Sequence, residues 1–129
     1  PDGRFVLVRQ FRKPVEREVL EIVAGLLEER EAPEACARRE VREETGHEVE
    51  ELVRLGTVCP SVGCMDEHIQ LFYARLADGP AATRLDHDEH VETVVLSAGE
   101  ITDMIRRGAV EDAKTLAAWL LYEKMFPNP

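Results

Sequence analysis

The hydrophobic positions switch between a two-residue and a helical period, and each switch marks an element. RFVLVRQF (4–11) sets β-branched and aromatic residues behind the turn-like PDG and predicts a strand; the shorter EVLEIV (18–23) predicts a second. From Pro33 to Thr45 the pattern turns helical. Pro33 suits a first helical position, a run of helix formers follows, Ala37 and Val41 supply an apolar stripe, and Gly46 suits the C-terminal cap. ELVRLGTVC (51–59) and HIQLFYARL (68–76) return to strand character, separated by the loop PSVGCMDE. After the polar stretch DGPAATRLDHDEH, VETVVL (91–96) predicts one more strand. Two helices close the pattern. SAGEITDMIRRG has Ser97 as cap and Gly108 as stop, and EDAKTLAAWLLYEKMF is expected to be apolar along Leu116, Leu120 and Leu121.

Strands with interspersed helices, rather than regular βαβ units, predict an α+β or mixed α/β layered domain. With 129 residues the chain has room for one domain with a real core and not for two ordinary ones, so a single domain over 1–129 is expected. No apolar run approaches the roughly 18 residues that a membrane span requires. Sixteen basic against 26 acidic residues, a formal charge of −10, argue against extended nucleic acid as a partner. A small phosphorylated ligand is compatible with that charge, because it needs only a few local arginines or metal ions. Three cysteines, Cys36, Cys59 and Cys64, without C-x-x-C spacing suggest neither a disulfide framework nor a zinc knuckle. With no signal peptide in view, a reducing cytoplasm is the expected compartment. The sequence opens PDGR without an initiator methionine, so further N-terminal sequence is expected ahead of it.

The stretch REVREETG (39–46) concentrates charge. On a helix, Glu40, Glu43 and Glu44 fall on nearly one face, where like charges cost roughly 0.2–0.5 kcal/mol per pair unless something offsets them. An acidic run is most simply a solvated helix face. Here its surroundings carry more. Upstream stands Gly25, then five residues, Glu31, then seven residues, then Arg39-Glu40-Val41-x-Glu43-Glu44-x-Gly46.

This spacing resembles the Nudix box: a glycine, five residues, a glutamate, seven residues, R-E-aliphatic-x-E-E-x-G and an aliphatic residue. Only the last position departs, with His47 in place of the aliphatic. Outside the box, RQFRKPV (9–15), EIVAG (21–25) and DAKTLAAWLL (112–121) resemble the ADP-ribose pyrophosphatase branch, so the resemblance covers nearly the whole chain. It implies a Nudix-like α/β/α sandwich, with a mixed sheet packed between helices.

Hard divalent cations favour carboxylate oxygens, and a helix presenting Glu40 and Glu44 one turn apart supplies two on one side. The resemblance implies Mg²⁺, with Mn²⁺ as an alternative, held by Glu40, Glu43, Glu44 and the backbone carbonyl of Ala24, with Glu43 either a ligand or a metal-linked base. It implies that Gly25 makes the loop-to-helix turn, that Arg39 orients Glu31, and that Gly46 ends the helix. A further carboxylate near the attacking water is expected in DHDEHVETV (86–94), with Glu89 the first choice and Glu92 the second. His87 and His90 in the same stretch lack a clear third ligand for a transition metal. Arg12 resembles the arginine that this branch uses near phosphates, where a guanidinium offers paired donors. Its alternative is a surface salt bridge. Glu21 is either structural or a pocket residue, and Glu67, in the loop resembling P-S-P-G-x-x-D-E, is a candidate for ribose or water contact.

The implied reaction is metal-dependent hydrolysis of ADP-ribose or a related nucleoside diphosphate sugar, giving AMP and a sugar phosphate, ribose 5-phosphate for ADP-ribose. Val62 stands where the branch usually has proline, and Arg30 and Val23 replace a common glycine and proline, which leaves other nucleoside diphosphate sugars open. Hydrolysis of nucleoside triphosphates or dinucleotides, and ADP-ribose sensing without hydrolysis, are the competing readings. The intact set of three glutamates argues against the sensor. The branch also implies a homodimer whose N-terminal strands contribute to the partner's pocket; the sequence is expected to miss most of that N-terminal strand region. Trp119 and Phe126 fall in the terminal apolar helix and are expected in the core or a dimer interface rather than against adenine.

Overall fold

The computed structural model describes residues 3–79 and 90–127. β1 (Arg4–Arg12) leads through a short 3-10 turn into β2 (Arg17–Glu21); α1 (Pro33–Thr45), β3 (Val49–Val58), β4 (Ile69–Leu76), β5 (Val91–Ser97), α2 (Ala98–Arg106) and α3 (Ala113–Met125) follow. The fold is α+β. Among the described residues the strand pairs are antiparallel and form a three-stranded sheet, β2-β1-β5, and a two-stranded sheet, β3-β4.

β1 is the central strand of the larger sheet, and its neighbours Leu7 and Val8 are both buried. Successive strand residues point to opposite faces, so both faces of β1 are covered. Leu7 joins Leu20, Ile101 and Val110 in a core flanked by Phe5, Val94, Met104, Leu116 and Trp119. α2 begins where the sequence predicts. Ser97 accepts from the Glu100 N–H while the Glu100 side chain accepts from the Ser97 N–H, a reciprocal cap.

α3 fastens the two sheets together. Phe5 of β1 meets Trp119 edge-on at a ring separation of 5.1 Å, and Tyr73 of β4 lies 5.2 Å from Tyr122 and 5.1 Å from Phe126. Trp119 is thus engaged in internal packing, while Phe126 contacts Tyr73 and Tyr122 but stays partly open to solvent. The inward stripe of α3 is Thr115, Ala118, Trp119 and Tyr122, at i, i+3, i+4 and i+7. This corrects the expected leucine face. Leu116 does reach the core and Leu121 approaches Gly56, but Leu120 is exposed, because the aromatic stripe rather than the aliphatic one faces the sheets. In α1 the fully buried residues are Cys36 and Thr45, with Ala37 and Val41 half-buried. The strand predicted over 18–23 stops at Glu21, since the Ile22 N–H is given to Thr115 Oγ1 (2.9 Å) instead of the sheet.

Candidate active site

α1 is held at both ends. Pro33 opens it, the Cys36 N–H donates to Ala32 O, and Gly46, at a left-handed φ of 73°, donates its N–H to Arg42 O. Arg38 donates to Val49 O at 2.6 Å, and Arg42 grips Glu48 with two nitrogens, at 2.6 and 2.8 Å. These contacts tie the helix to the start of β3. Arg39 and Glu40 are left to face the loop that precedes the helix.

Arg39 is the electrostatic hub of that face. Its Nε and Nη2 donate to the two oxygens of Glu31 (2.8 and 3.0 Å), Nη2 also reaches Leu26 O (3.1 Å), and Nη1 donates to both Glu40 (2.6 Å) and Glu43 (3.2 Å). One guanidinium thus hydrogen-bonds three carboxylates, and that of Glu28 lies 3.8 Å away. The Arg39 hydrogen bonds, helped by the Glu28 N–H, draw Glu31 down to about 2. Glu40 moves the other way: burial raises its pKa, and the attraction of Arg39 only partly opposes this. Its carboxylate lies against the α-carbon of Gly25, where a methyl group would come within 1.9 Å of Glu40 Cδ. The resulting contact brings the Ala24–Gly25 loop to the acidic helix.

A second charged cluster joins the ends of β1, β2 and α3. Glu21 is 2% exposed. Its Oε2 accepts from Arg12 Nε (2.7 Å), and its Oε1 accepts from Arg12 Nη2 (2.9 Å) and Lys114 Nζ (2.6 Å). Burial alone would raise the Glu21 pKa; the hydrogen bonds from Arg12 and Lys114 outweigh it and hold the carboxylate below its ordinary range. Arg12 is held charged chiefly by Glu21, with Asp112 and Glu44 of α1 adding to the effect, so Glu44 lies within electrostatic reach of Arg12. Sequence reasoning assigned no role to Asp112, Lys114 or Thr115. The only signal was DAKT at the start of a helix.

The remaining candidates are dispersed. Glu92 sits on β5 opposite Arg9, which donates to it at 3.2 Å, and is exposed. Glu67 stands exposed on the β3–β4 loop, lining a shallow depression with Val62 to Asp66. Glu89 and His87 lie outside the described residues; His90 is exposed.

The family model of the NUDIX domain matches residues 1–120. This chain belongs to the Nudix family. It is 39% identical over 118 residues to a methanol dehydrogenase activator of Bacillus methanolicus and 38% identical over 118 residues to an ADP-ribose pyrophosphatase of Bacillus subtilis strain 168, covering 91% of this chain and 64% of the relative in each case. A GDP-mannose pyrophosphatase of Escherichia coli O1:K1 is 36% identical over 119 residues, covering 86% of this chain and 62% of that protein. The chain therefore spans a little under two thirds of the length of the curated relatives it matches.

Nudix membership raises the question of a metal. Among the described residues no group of three His, Cys, Asp or Glu side chains is gathered closely enough to hold one. The donor set nevertheless suits a hard divalent cation. Glu40, Glu43 and Glu44 are carboxylates on adjoining turns, and the desolvated Glu40 lies against the residue that follows Ala24. A cation there would take over part of the charge compensation that Arg39 supplies. Among the described residues, no helix is long and apolar enough to cross a membrane.

Proposed function

We propose that this Nudix chain hydrolyses the pyrophosphate bond of a nucleoside diphosphate sugar, with ADP-ribose the leading substrate and AMP and ribose 5-phosphate the products. The observation that carries the reading is the contact of Glu40 with Gly25, which sets the acidic helix against the Ala24 loop. The relatives named for ADP-ribose and GDP-mannose support the substrate class.

Glu40, Glu43, Glu44 and the Ala24 carbonyl would hold the cation, Mg²⁺ first and Mn²⁺ as the alternative. When bound, it neutralises the pyrophosphate oxygens and lowers the pKa of water. Arg39 keeps Glu31, Glu40 and Glu43 in register on the loop side of α1. Arg12 has two nitrogens committed to Glu21, and its Nη1 is the natural donor to a phosphate oxygen. Water attacks phosphorus, the bridging P–O bond breaks, and the proton lost by water passes to a carboxylate, for which Glu43, Glu44 and Glu89 are the candidates. Glu92, paired with Arg9, is the weaker choice.

The test is product analysis with Mg²⁺ on ADP-ribose, GDP-mannose, nucleoside triphosphates and dinucleotides. AMP with ribose 5-phosphate from ADP-ribose supports the reading. Turnover confined to triphosphates or dinucleotides overturns it, and binding of ADP-ribose without cleavage favours a sensor.

A further inference from the structure

α3 opens with Asp112-Ala113-Lys114-Thr115. Asp112 caps the helix through one oxygen, which accepts the Thr115 N–H (3.1 Å) and the Thr115 hydroxyl (2.5 Å). Its other oxygen accepts from Lys114 (2.9 Å), and Lys114 also donates to Glu21 (2.6 Å). The Lys114 side chain is 14% exposed and that of Glu21 3%, whereas that of Arg12 is 44% exposed. Lys114 is therefore the more enclosed, partly buried cation of the cluster and Arg12 the one more open to solvent and ligand. Thr115 adds a second fastening, accepting the Ile22 N–H just beyond Glu21.

We propose that Lys114 is a positioning residue for Arg12: it fixes the Glu21 carboxylate that takes both Nε and Nη2 of Arg12, and so presents the remaining guanidinium nitrogen to a pyrophosphate. Lys114 does this without touching the ligand. Without it, Glu21 keeps Arg12 as its one cationic partner among the described residues. The carboxylate then either loosens, releasing Arg12 to sample solvent, or draws more fully on the Arg12 charge. Each outcome weakens the hold on phosphate oxygens. A neutral side chain of similar length fills the space but leaves both Glu21 and Asp112 short of a cation.

The inference rests on Arg12 as a phosphate contact, and a double-mutant cycle isolates it. Inorganic pyrophosphate is titrated calorimetrically, in Mg²⁺ buffer, into the native chain, Lys114→Met, Arg12→Ala and the double variant, with thermal melting of each. If Lys114 acts through Arg12, Lys114→Met weakens binding by about tenfold in the native background and by less than about twofold in the Arg12→Ala background. Equal weakening in both backgrounds, no weakening in the first, or no pyrophosphate binding by the native chain overturns the proposal. Lys114→Gln, which keeps a donor but not the charge, replaces Lys114→Met in the cycle if the latter does not fold. ADP-ribose hydrolysis by the native chain is measured alongside. Its absence with the cycle intact removes the substrate reading and leaves the role of Lys114; its presence with an additive cycle does the reverse.

Discussion

The carboxylate of Glu40 rests on the α-carbon of Gly25, so closely that a β-carbon there would lie 2.0 Å from Glu40 Oε1 and 2.5 Å from Cγ. Glycine is required here for the space its missing side chain leaves. Gly25→Ala must push the Glu40 side chain aside. Because Gly25 is exposed and Glu40 can rotate, we expect a stability loss below about 1 kcal/mol but a fall in metal-dependent hydrolysis of about tenfold or more. Thermal melting together with kcat against Mg²⁺ concentration separates the two. An Ala variant with native activity would show that the Glu40 position is immaterial.

Arg30 adopts a left-handed backbone φ of 62°. A side chain in that region costs roughly 1–2 kcal/mol. The Arg30 side chain is 92% exposed, with Glu29 4.0 Å away as its ion-pair contact. Arg30→Gly should therefore stabilise the chain, by about 1 kcal/mol after allowing for the greater freedom of glycine in the unfolded state. Urea denaturation of the two forms checks it, and a lower midpoint for the Gly variant would count against the strain.

Glu31 and Arg39 make a pH-dependent contribution to stability. The folded state holds Glu31 at about 2, against an ordinary 4.5. The unfolded chain thus takes up the proton first as pH falls. The stabilisation is complete above about pH 4.5 and disappears as pH drops toward about 2. Glu31→Gln, which cannot ionise, should be less stable than the native chain at neutral pH, by a margin that narrows through that window. Denaturation curves at stepped pH supply the comparison; a margin that stays constant would contradict the pairing.

Much of this was legible in the sequence for local reasons. α1 spans Pro33–Thr45, the predicted interval, because a proline start and a glycine stop are written into adjacent residues. Ser97 capping α2 is equally local. The 25–31–39–46 spacing carried the box, and the structure adds how Arg39 distributes its nitrogens among Glu31, Glu40 and Glu43. What stayed hidden depends on distant contacts. Lys114 and Glu21 are 93 positions apart, and nothing local marks Lys114 as a partly buried partner of that carboxylate. On α3 the departure is Leu120, which is more hydrophobic than Thr115 yet exposed, because the turn around the helix points Thr115 inward.

The most direct test of the acidic helix as a metal-dependent hydrolytic site is release of AMP from ADP-ribose by the native chain and by Glu44→Gln, each with Mg²⁺ and with EDTA. The account predicts AMP release that EDTA abolishes and that falls by more than about tenfold in the variant, with the fold intact by circular dichroism. AMP release that persists in EDTA, or that is undiminished in Glu44→Gln, would contradict it.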